Sequence, residues 1–341
     1  MALASGAGRD ARGEHPLSGH RGDAAAAPEV AAAAAALAGG GLVAFPTETV
    51  YGLGADAERP EAVARIFAAK GRPDWHPLIV HGADAELLHR YGRAPSAAAR
   101  RLAELWPAPL TIVVARTPAV PDAVTGGRDT VGLRVPDQPV ALALLAAFGR
   151  GVAAPSANRF GRVSPTSAAD VRAELGDAVS IVLDGGRSRI GVESTIVDCT
   201  GPRATILRRG AVTAQMLAET LGDVVEDDLG PARAPGMLAA HYRPSATVEL
   251  TTLDALGPRA ETLLDAGRRV AVMGAVHGAR LPEGVLLLAS PDSAADYAHE
   301  LYAQLRAADV AGVDVVLAVP PAPVGIGAAV ADRLRRASDG D

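Results

Sequence analysis

The stretch Phe45-Pro-Thr-Glu-Thr-Val-Tyr-Gly-Leu-Gly54 decides how this chain is read. Residues 42–45 form an apolar run, a short buried strand that Pro46 ends. Hydroxyls and glycines follow at once, where a ligand can reach backbone amides. Gly52-Leu-Gly-Ala-Asp-Ala57 also fits the loose dinucleotide pattern G-x-G-x-x-A. That pattern needs a tight turn from strand to helix, and Pro46-Thr-Glu-Thr49 stands in its place, so we reject a dinucleotide site here. Gly325-Ile-Gly327 lacks the third small residue, and no G-x-x-x-x-G-K-[ST] loop occurs.

Working outward, proline at the first position predicts a helix over residues 60–70. Upstream, an Ala-rich helix is predicted over 29–38, stopped by Gly39, Gly40 and Gly41, and residues 1–27 read as a disordered tail. Downstream, strands are predicted at 78–80, 110–114, 130–135, 152–154, 181–184, 195–198 and 205–207, with helices near 85–91, 96–105 and 139–148. This mixture gives an α/β fold whose sheet is not purely parallel. The pattern changes near residue 222. Residues 223–245 read as a linker, unusual in carrying His241 and Tyr242 between prolines. Beyond it, strands at 247–250, 269–273, 285–288 and 313–319 alternate with helices, which predicts a smaller Rossmann-like α/β domain over 246–337.

Composition narrows the function classes. The 341 residues are 49% hydrophobic and 21% charged, with a net charge of −6 and one cysteine. A disulfide framework and a Cys-rich zinc site are excluded. No apolar run is long enough to span a bilayer and no signal-peptide pattern opens the chain, so the expected setting is cytoplasmic, without membrane partners. Neither the first 230 residues nor the rest has the basic excess of a dedicated nucleic-acid binder. Lys70 is the one lysine among 33 basic residues. Its survival points to a place that needs a compact ammonium rather than a guanidinium fork.

Several separated stretches carry chemistry. Lys70-Gly-Arg-Pro73 ends a helix, and its two cations can meet phosphates from one side; favourable pairing with the helix dipole accounts for only part of that pattern. Ala154-Pro-Ser-Ala-Asn158 and Gly161-Arg-Val-Ser-Pro165 follow one strand, Gly191-Val-Glu-Ser-Thr195 enters another, and Leu207-Arg-Arg-Gly210 leaves a third. Each alone is ordinary turn chemistry. Together they gather Lys, Arg, Ser, Thr and Asn at strand ends around one sheet, the make-up of a polyanion and amino-acid site. His76 and His81 flank a strand at odd spacing, which disfavours a shared metal. Cys199 ends a buried strand without a nearby base and reads as core packing.

Eight motifs in order carry a family resemblance: FPTETVYGLGADA, KGRPDWHPLIVH, LWPAPLTIVV, TVGLRVPD, APSANRFGRVSPT, GVESTIVD, ILRRG and APGMLAAHY. Over about residues 29–336 the chain resembles the YrdC-like threonylcarbamoyl-AMP synthases in their long two-domain form. The resemblance implies an open twisted mixed sheet over residues 28–222 as the catalytic domain, and a linker, 223–245, folding over the active site. It implies an enzyme, a nucleotidyltransferase, that makes threonylcarbamoyl-AMP and pyrophosphate from L-threonine, bicarbonate and ATP with Mg²⁺. The product serves the modification of adenosine 37 in tRNAs reading ANN codons, with tRNA or a downstream threonylcarbamoyl-transferase complex as transient partner. The family tetrad, implied as the catalytic residues, falls on Lys70, Arg72, Ser156 and Asn158, with Lys70 and Asn158 completing the polar wall near the phosphates. Threonine is then expected at Thr49, His81, Arg134 and Ser194, with the Arg134 fork on its carboxylate. ATP is expected at Arg72, His76, Thr130, the Ala154 backbone, Ser156, Ser164, Arg208 and Tyr242, the last acting as a lid. No protein metal cage is implied; Mg²⁺ comes with ATP. His76 stands where the family commonly has Asn, and its charge is expected to vary with pH. The competing reading is a double-stranded RNA or tRNA-binding module without turnover, against which the acidic balance speaks. A carbamoyl-adenylate enzyme of hydrogenase maturation is excluded because acylphosphatase and zinc-finger segments are missing from this sequence.

Overall fold

A computed structural model describes residues 27–93, 95–223, 225–227 and 242–338. Nearly all of the predicted tail and most of the predicted linker, His241 included, lie outside these residues. The first unit is a ten-stranded mixed sheet. Its strands are β1 (Val43–Phe45), β2 (Gly52–Asp56), β3 (Ile79–His81), β4 (Leu110–Ala115), β5 (Thr130–Arg134), β6 (Val152–Ala154), β7 (Ile181–Val182), β8 (Thr195–Asp198), β9 (Thr205–Arg208) and β10 (Glu226–Asp227). They lie in the order β10-β9-β8-β4-β5-β3-β6-β2-β1-β7. The second unit is an all-parallel sheet of β11 (Thr247–Leu250), β12 (Val270–Gly274), β13 (Leu286–Ala289) and β14 (Val315–Val319), ordered β11-β14-β12-β13. The long helices Leu253–Asp265, Ala294–Ala311 and Ile326–Ser338 complete it.

Strand β2 differs from the expectation of a ligand loop. Gly52 and Gly54 pair with Phe45 and Val43 across an antiparallel ladder. A Cβ on Gly54 would lie 2.7 Å from Val152 Cγ1 and 2.9 Å from the Phe45 ring. These glycines let an aromatic ring and a neighbouring strand close over β2, a packing need that mimics a phosphate-loop signature. At the other end of the sheet, β10 adds a parallel strand to β9 from within the span read as linker.

Alternation along the strands separates the two faces of the large sheet. Ala44, Leu53, Val80, Ile112, Leu133 and Ala153 enter one core with Val63, Ile66 and Phe67 of helix Pro60–Lys70. Val43, Phe45 and Val152 face the opposite way, against helices Ala27–Ala38 and Pro139–Phe148. Farther along that second face, Ile79, Val113, Ile196 and Leu207 form a small apolar cluster of their own. Here the candidate site lies. Helix Pro60–Lys70 starts at a proline and stops at Gly71 (φ 63), which turns the chain so that Arg72 leaves toward that site.

The C-terminal unit packs beside the site. Val50, Val163, Val192 and Tyr242 share one core with Tyr297, Leu301, Tyr302, Val330 and Leu334. Gly191 (φ 83) shows how close the approach is: a Cβ there would lie 2.3 Å from the Ala298 carbonyl oxygen. Arg306 pairs with Glu174 at 3.2 Å and donates to the Val163 carbonyl. No described helix is long and apolar enough to cross a membrane.

Candidate active site

Register brings the site together. His81 lies beside Arg134 on parallel β3 and β5, and Ile79 beside Ala154 on antiparallel β3 and β6. Their shared parity puts Ile79, His81, Arg134 and Ala154 on one face. The 46–50 loop is folded by its own hydroxyl: Thr47 Oγ1 donates to the Val50 carbonyl (2.5 Å) and accepts the Thr49 and Val50 amides. It shares a further hydrogen bond of 2.8 Å with Thr49 Oγ1. The 154–165 segment is tied to β2 and its flank, with the Leu53 amide on the Pro155 carbonyl and the Tyr51 amide on the Pro165 carbonyl. A pocket opens between these parts. Of the residues singled out from the sequence, Thr49, Arg72, His81, Arg134, Ala154, Ser156, Arg208 and Tyr242 line it, and so do Thr47 and Glu193.

The expected residues divide into lining and support. Lys70, buried behind the wall, donates from Nζ to the carbonyls of Ser156 (2.5 Å) and Asn158. Burial first, and then the Arg72 charge, hold its ammonium well below the usual lysine range. Asn158 accepts from Ser156 Oγ (2.5 Å) and donates to the carbonyls of Arg159 and Arg162, so it shapes the loop. Ser164 donates to Glu193 at 2.8 Å. Ser194 Oγ bonds Thr111 Oγ1 (2.8 Å) and accepts from Arg208 Nη2 (3.1 Å). Thr130 begins β5, where it pairs with Ala115 rather than lining the pocket. His76 is stacked on Trp75, ring centroids 4.0 Å apart, with the Phe160 ring edge-on at 5.5 Å. Its imidazole is pushed down to about 4 by burial, then by Arg72 and Arg128. Any change in its charge therefore falls in the acid range, and His76 is neutral near neutral pH.

Electrostatics favour anions. Arg72 is buried, gives Nη2 to the Pro77 carbonyl (3.1 Å), and is lowered to about 10, chiefly by burial. Arg208 is lowered too, again by burial first, and gives Nε to the Ser194 carbonyl at 3.0 Å. Arg134 Nη2 reaches both Glu48 Oε1 (2.7 Å) and Thr49 Oγ1 (2.8 Å). His81 is pushed down to about 3 by burial and then by Arg134, so it meets ligands as a neutral imidazole.

Four residues escaped the sequence reading: Glu48, Glu193, Tyr302 and Arg333. Glu193 accepts from Arg333 Nε (2.9 Å) and from the Tyr302 hydroxyl (2.9 and 3.0 Å). Burial acts upward on its carboxyl, but Arg333 and Arg208 overcome this and hold it at about 2. A signal existed in the C-terminal helices. Val330, Arg333, Leu334 and Ala337 fall at i, i+3, i+4 and i+7, as do Ala298, Leu301, Tyr302 and Leu305. An arginine on such an apolar stripe must meet a buried acceptor.

Comparison with known proteins identifies the family. The Sua5/YciO/YrdC family model, described as telomere recombination, matches residues 35–210. The model for the threonylcarbamoyl-AMP synthase C-terminal domain matches residues 212–339. The threonylcarbamoyl-AMP synthase of Pyrococcus abyssi is 41% identical over 312 residues, 88% of this chain and 91% of that protein. That of Bacillus subtilis is 38% identical over 315 residues, 88% and 90% respectively. A crystal structure of P. abyssi Sua5 complexed with L-threonine superposes with a TM-score of 0.86 at 39% identity, covering 92% of this chain and 94% of that one. A variant of the same protein with adjacent His and Tyr replaced by Ala gives 0.85 at 38% identity, over 92% and 93%. The chain belongs to the threonylcarbamoyl-AMP synthase family of nucleotidyltransferase-type enzymes.

Proposed function

We propose that this chain joins L-threonine, bicarbonate and ATP into threonylcarbamoyl-AMP, releasing pyrophosphate. The observation that carries this reading is one pocket with three buried arginines, Arg72, Arg134 and Arg208, set on different walls beside the hydroxyls of Thr49 and Ser156. Such a pocket suits an amino-acid carboxylate and a polyphosphate at once. Arg134, with Thr49, His81 and Ser194, takes threonine in this reading. The fork of Arg134 then shares its bonds between Glu48 and the substrate carboxylate. Arg72, His76, the Ala154 backbone, Ser156, Arg208 and Tyr242 serve ATP, while Ser164 holds the Glu193 carboxylate and Thr130 stays outside the lining. Lys70 and Asn158 keep the Ser156 loop in place.

The chemistry balances without a protein-derived covalent step. The threonine nitrogen bonds to the bicarbonate carbon, and water leaves to give the carbamate. A carbamate oxygen then attacks the α-phosphorus as the bond to the β-phosphate oxygen breaks. Arginines around the phosphates stabilise the charge that develops on pyrophosphate, and the lining fixes the nucleophile in line. Mg²⁺ enters as part of the MgATP substrate, held by phosphate oxygens and water. Tyr242, the second residue of the chain's one His-Tyr dipeptide, covers the nucleotide as a lid. The reading includes a cytoplasmic setting and transfer of the product to tRNA by another protein. Pyrophosphate release with threonine and bicarbonate omitted in turn tests it. Release that needs both supports the reading; release indifferent to threonine refutes it.

A further inference from the structure

We propose that Arg333, from the C-terminal unit, is a positioning residue of the pocket: it occupies the carboxylate of Glu193 so that Arg208 keeps its place on Ser194, in the wall read as the nucleotide's, instead of turning to Glu193. The proposal rests on the reading of the pocket as an ATP site. Glu193 lines that pocket and is only 6% exposed. A buried carboxylate there opposes a polyphosphate, and with its partner gone it would draw a neighbouring guanidinium to itself. Arg208 is such a neighbour: it lines the same pocket and donates from Nε and Nη2 to the carbonyl and hydroxyl of Ser194, the next residue after Glu193.

Arg333 is placed to prevent this. It is 1% exposed, gives Nε to Glu193, Nη1 to Asp332 (2.8 Å) and Nη2 to the Arg209 carbonyl (3.0 Å). Its guanidinium also lies 5.5 Å from the ring centre of Tyr242. Tyr242 in turn stacks on Tyr302 at 5.6 Å, with 27° between the rings. Tyr242 takes φ 66, the only positive φ outside glycine among the described residues. A strained backbone persists where its surroundings hold it, and here Arg333 and Tyr302 do so. Adhesion between the two units needs none of this. Half-exposed pairs such as Arg187 with Glu300 (3.0 Å) and Arg162 with Asp309 (3.1 Å) already bridge them, and a well-packed apolar residue would serve stability as well as a buried arginine.

The test uses the full chain, with pyrophosphate release measured against MgATP and threonine separately. R333M should raise KM for ATP about tenfold or more, the worth of one charge-assisted hydrogen bond, with little change in KM for threonine. R333K should recover much of the loss. In the E193Q background, R333M should change KM for ATP less than about threefold, because the competing charge is gone. Equal effects of R333M in both backgrounds, or an unchanged KM for ATP in a folded R333M, overturn the proposal. Should R333M fail to fold, Y302F keeps the ring stack and removes one donor from Glu193. It should raise KM for ATP in the same direction, and no rise refutes the inference. A wild-type chain without threonine-dependent release refutes the functional reading, and this inference falls with it; normal wild-type turnover with an unmoved variant refutes the inference alone.

Discussion

Replacing Lys70 by Met tests how the pocket wall is built. The ammonium is 3% exposed and gives hydrogen bonds to the carbonyls of Ser156 and Asn158. Methionine fills similar space but donates nothing, so two buried carbonyls lose a charged donor. Each such bond is worth about 1.5–3 kcal/mol, part of which is offset because a buried cation is no longer desolvated. A net loss of about 2–4 kcal/mol follows, a fall in Tm of roughly 3–8 °C for a chain of this size. The loop also carries Ser156 into the pocket, and a shift of about 1 Å there should lower kcat/KM about a hundredfold. Arginine should fare little better, since its five donors need partners that this hole does not offer. The assays are thermal unfolding and pyrophosphate release on the same preparations. K70R with Tm within about 1 °C of wild type and activity within about threefold would refute the reasoning.

Other expected outcomes follow from the same geometry. R134M should raise KM for threonine about a hundredfold and leave Glu48 unpaired, costing about 3–5 kcal/mol of stability; adding E48Q should restore stability in urea unfolding but not threonine binding. His81 sits at about 3 in the fold, against about 6.5 unfolded. Its contribution is therefore full above pH 6.5 and is lost as pH falls toward 3, because only the unfolded chain takes the proton. That amounts to about 3 kcal/mol by pH 4.5. His76 acts with the same sign, whereas Glu193, at about 2, acts only below the ordinary glutamate range. H81Q should flatten the pH dependence of Tm between 7 and 5, and an unaltered slope would contradict this. H76N should alter KM for ATP without moving the pH profile above pH 5, because His76 is neutral there; a profile shifted in that range would show that it titrates. G191A puts a Cβ at 2.3 Å from the Ala298 carbonyl oxygen in a left-handed backbone. It should cost at least about 2 kcal/mol and speed proteolysis between the two units.

Most elements were legible because they obey local rules. Helices Pro60–Lys70 and Pro139–Phe148 announce themselves by a first proline and a closing glycine, and their observed bounds match the expected ones. Strands β6, β8 and β11 likewise match residue for residue. What failed was set by distant partners. Gly52 and Gly54 read as loop residues because no local rule says that the Phe45 ring lies over them. Helices Ala168–Leu175 and Ala214–Leu221 carry short apolar stripes that only distant partners, β7 for the first and helix Ala97–Ala103 for the second, make sufficient. For the site, the motifs led to eight residues that line one pocket. They did not separate residues that face the pocket, such as Arg72, from those that brace it, such as Lys70 and Ser164. That distinction depends on which way a side chain leaves a turn.

The buried carboxylates explain why the braces matter. A pocket for anions must hold several guanidinium groups close together before any ligand arrives, and unpaired they would repel and resist burial. Glu48 holds Arg134 at 2.7 Å, and Glu193 holds Arg333 at 2.9 Å in the pocket that Arg208 also lines. Each carboxylate lets the fold keep its arginines indoors, and each also competes with the substrate for them. The two walls resolve that competition differently. On the wall proposed for threonine, Glu48 has no second cation among its hydrogen-bond partners in the described residues, so in that reading the incoming carboxylate shares Arg134 with it. On the wall proposed for the nucleotide, the C-terminal unit brings an extra arginine and a tyrosine hydroxyl to Glu193. Under the proposed function the larger anionic charge of ATP is met where the protein supplies the larger compensation, which gives the second unit a chemical reason to stand against the first.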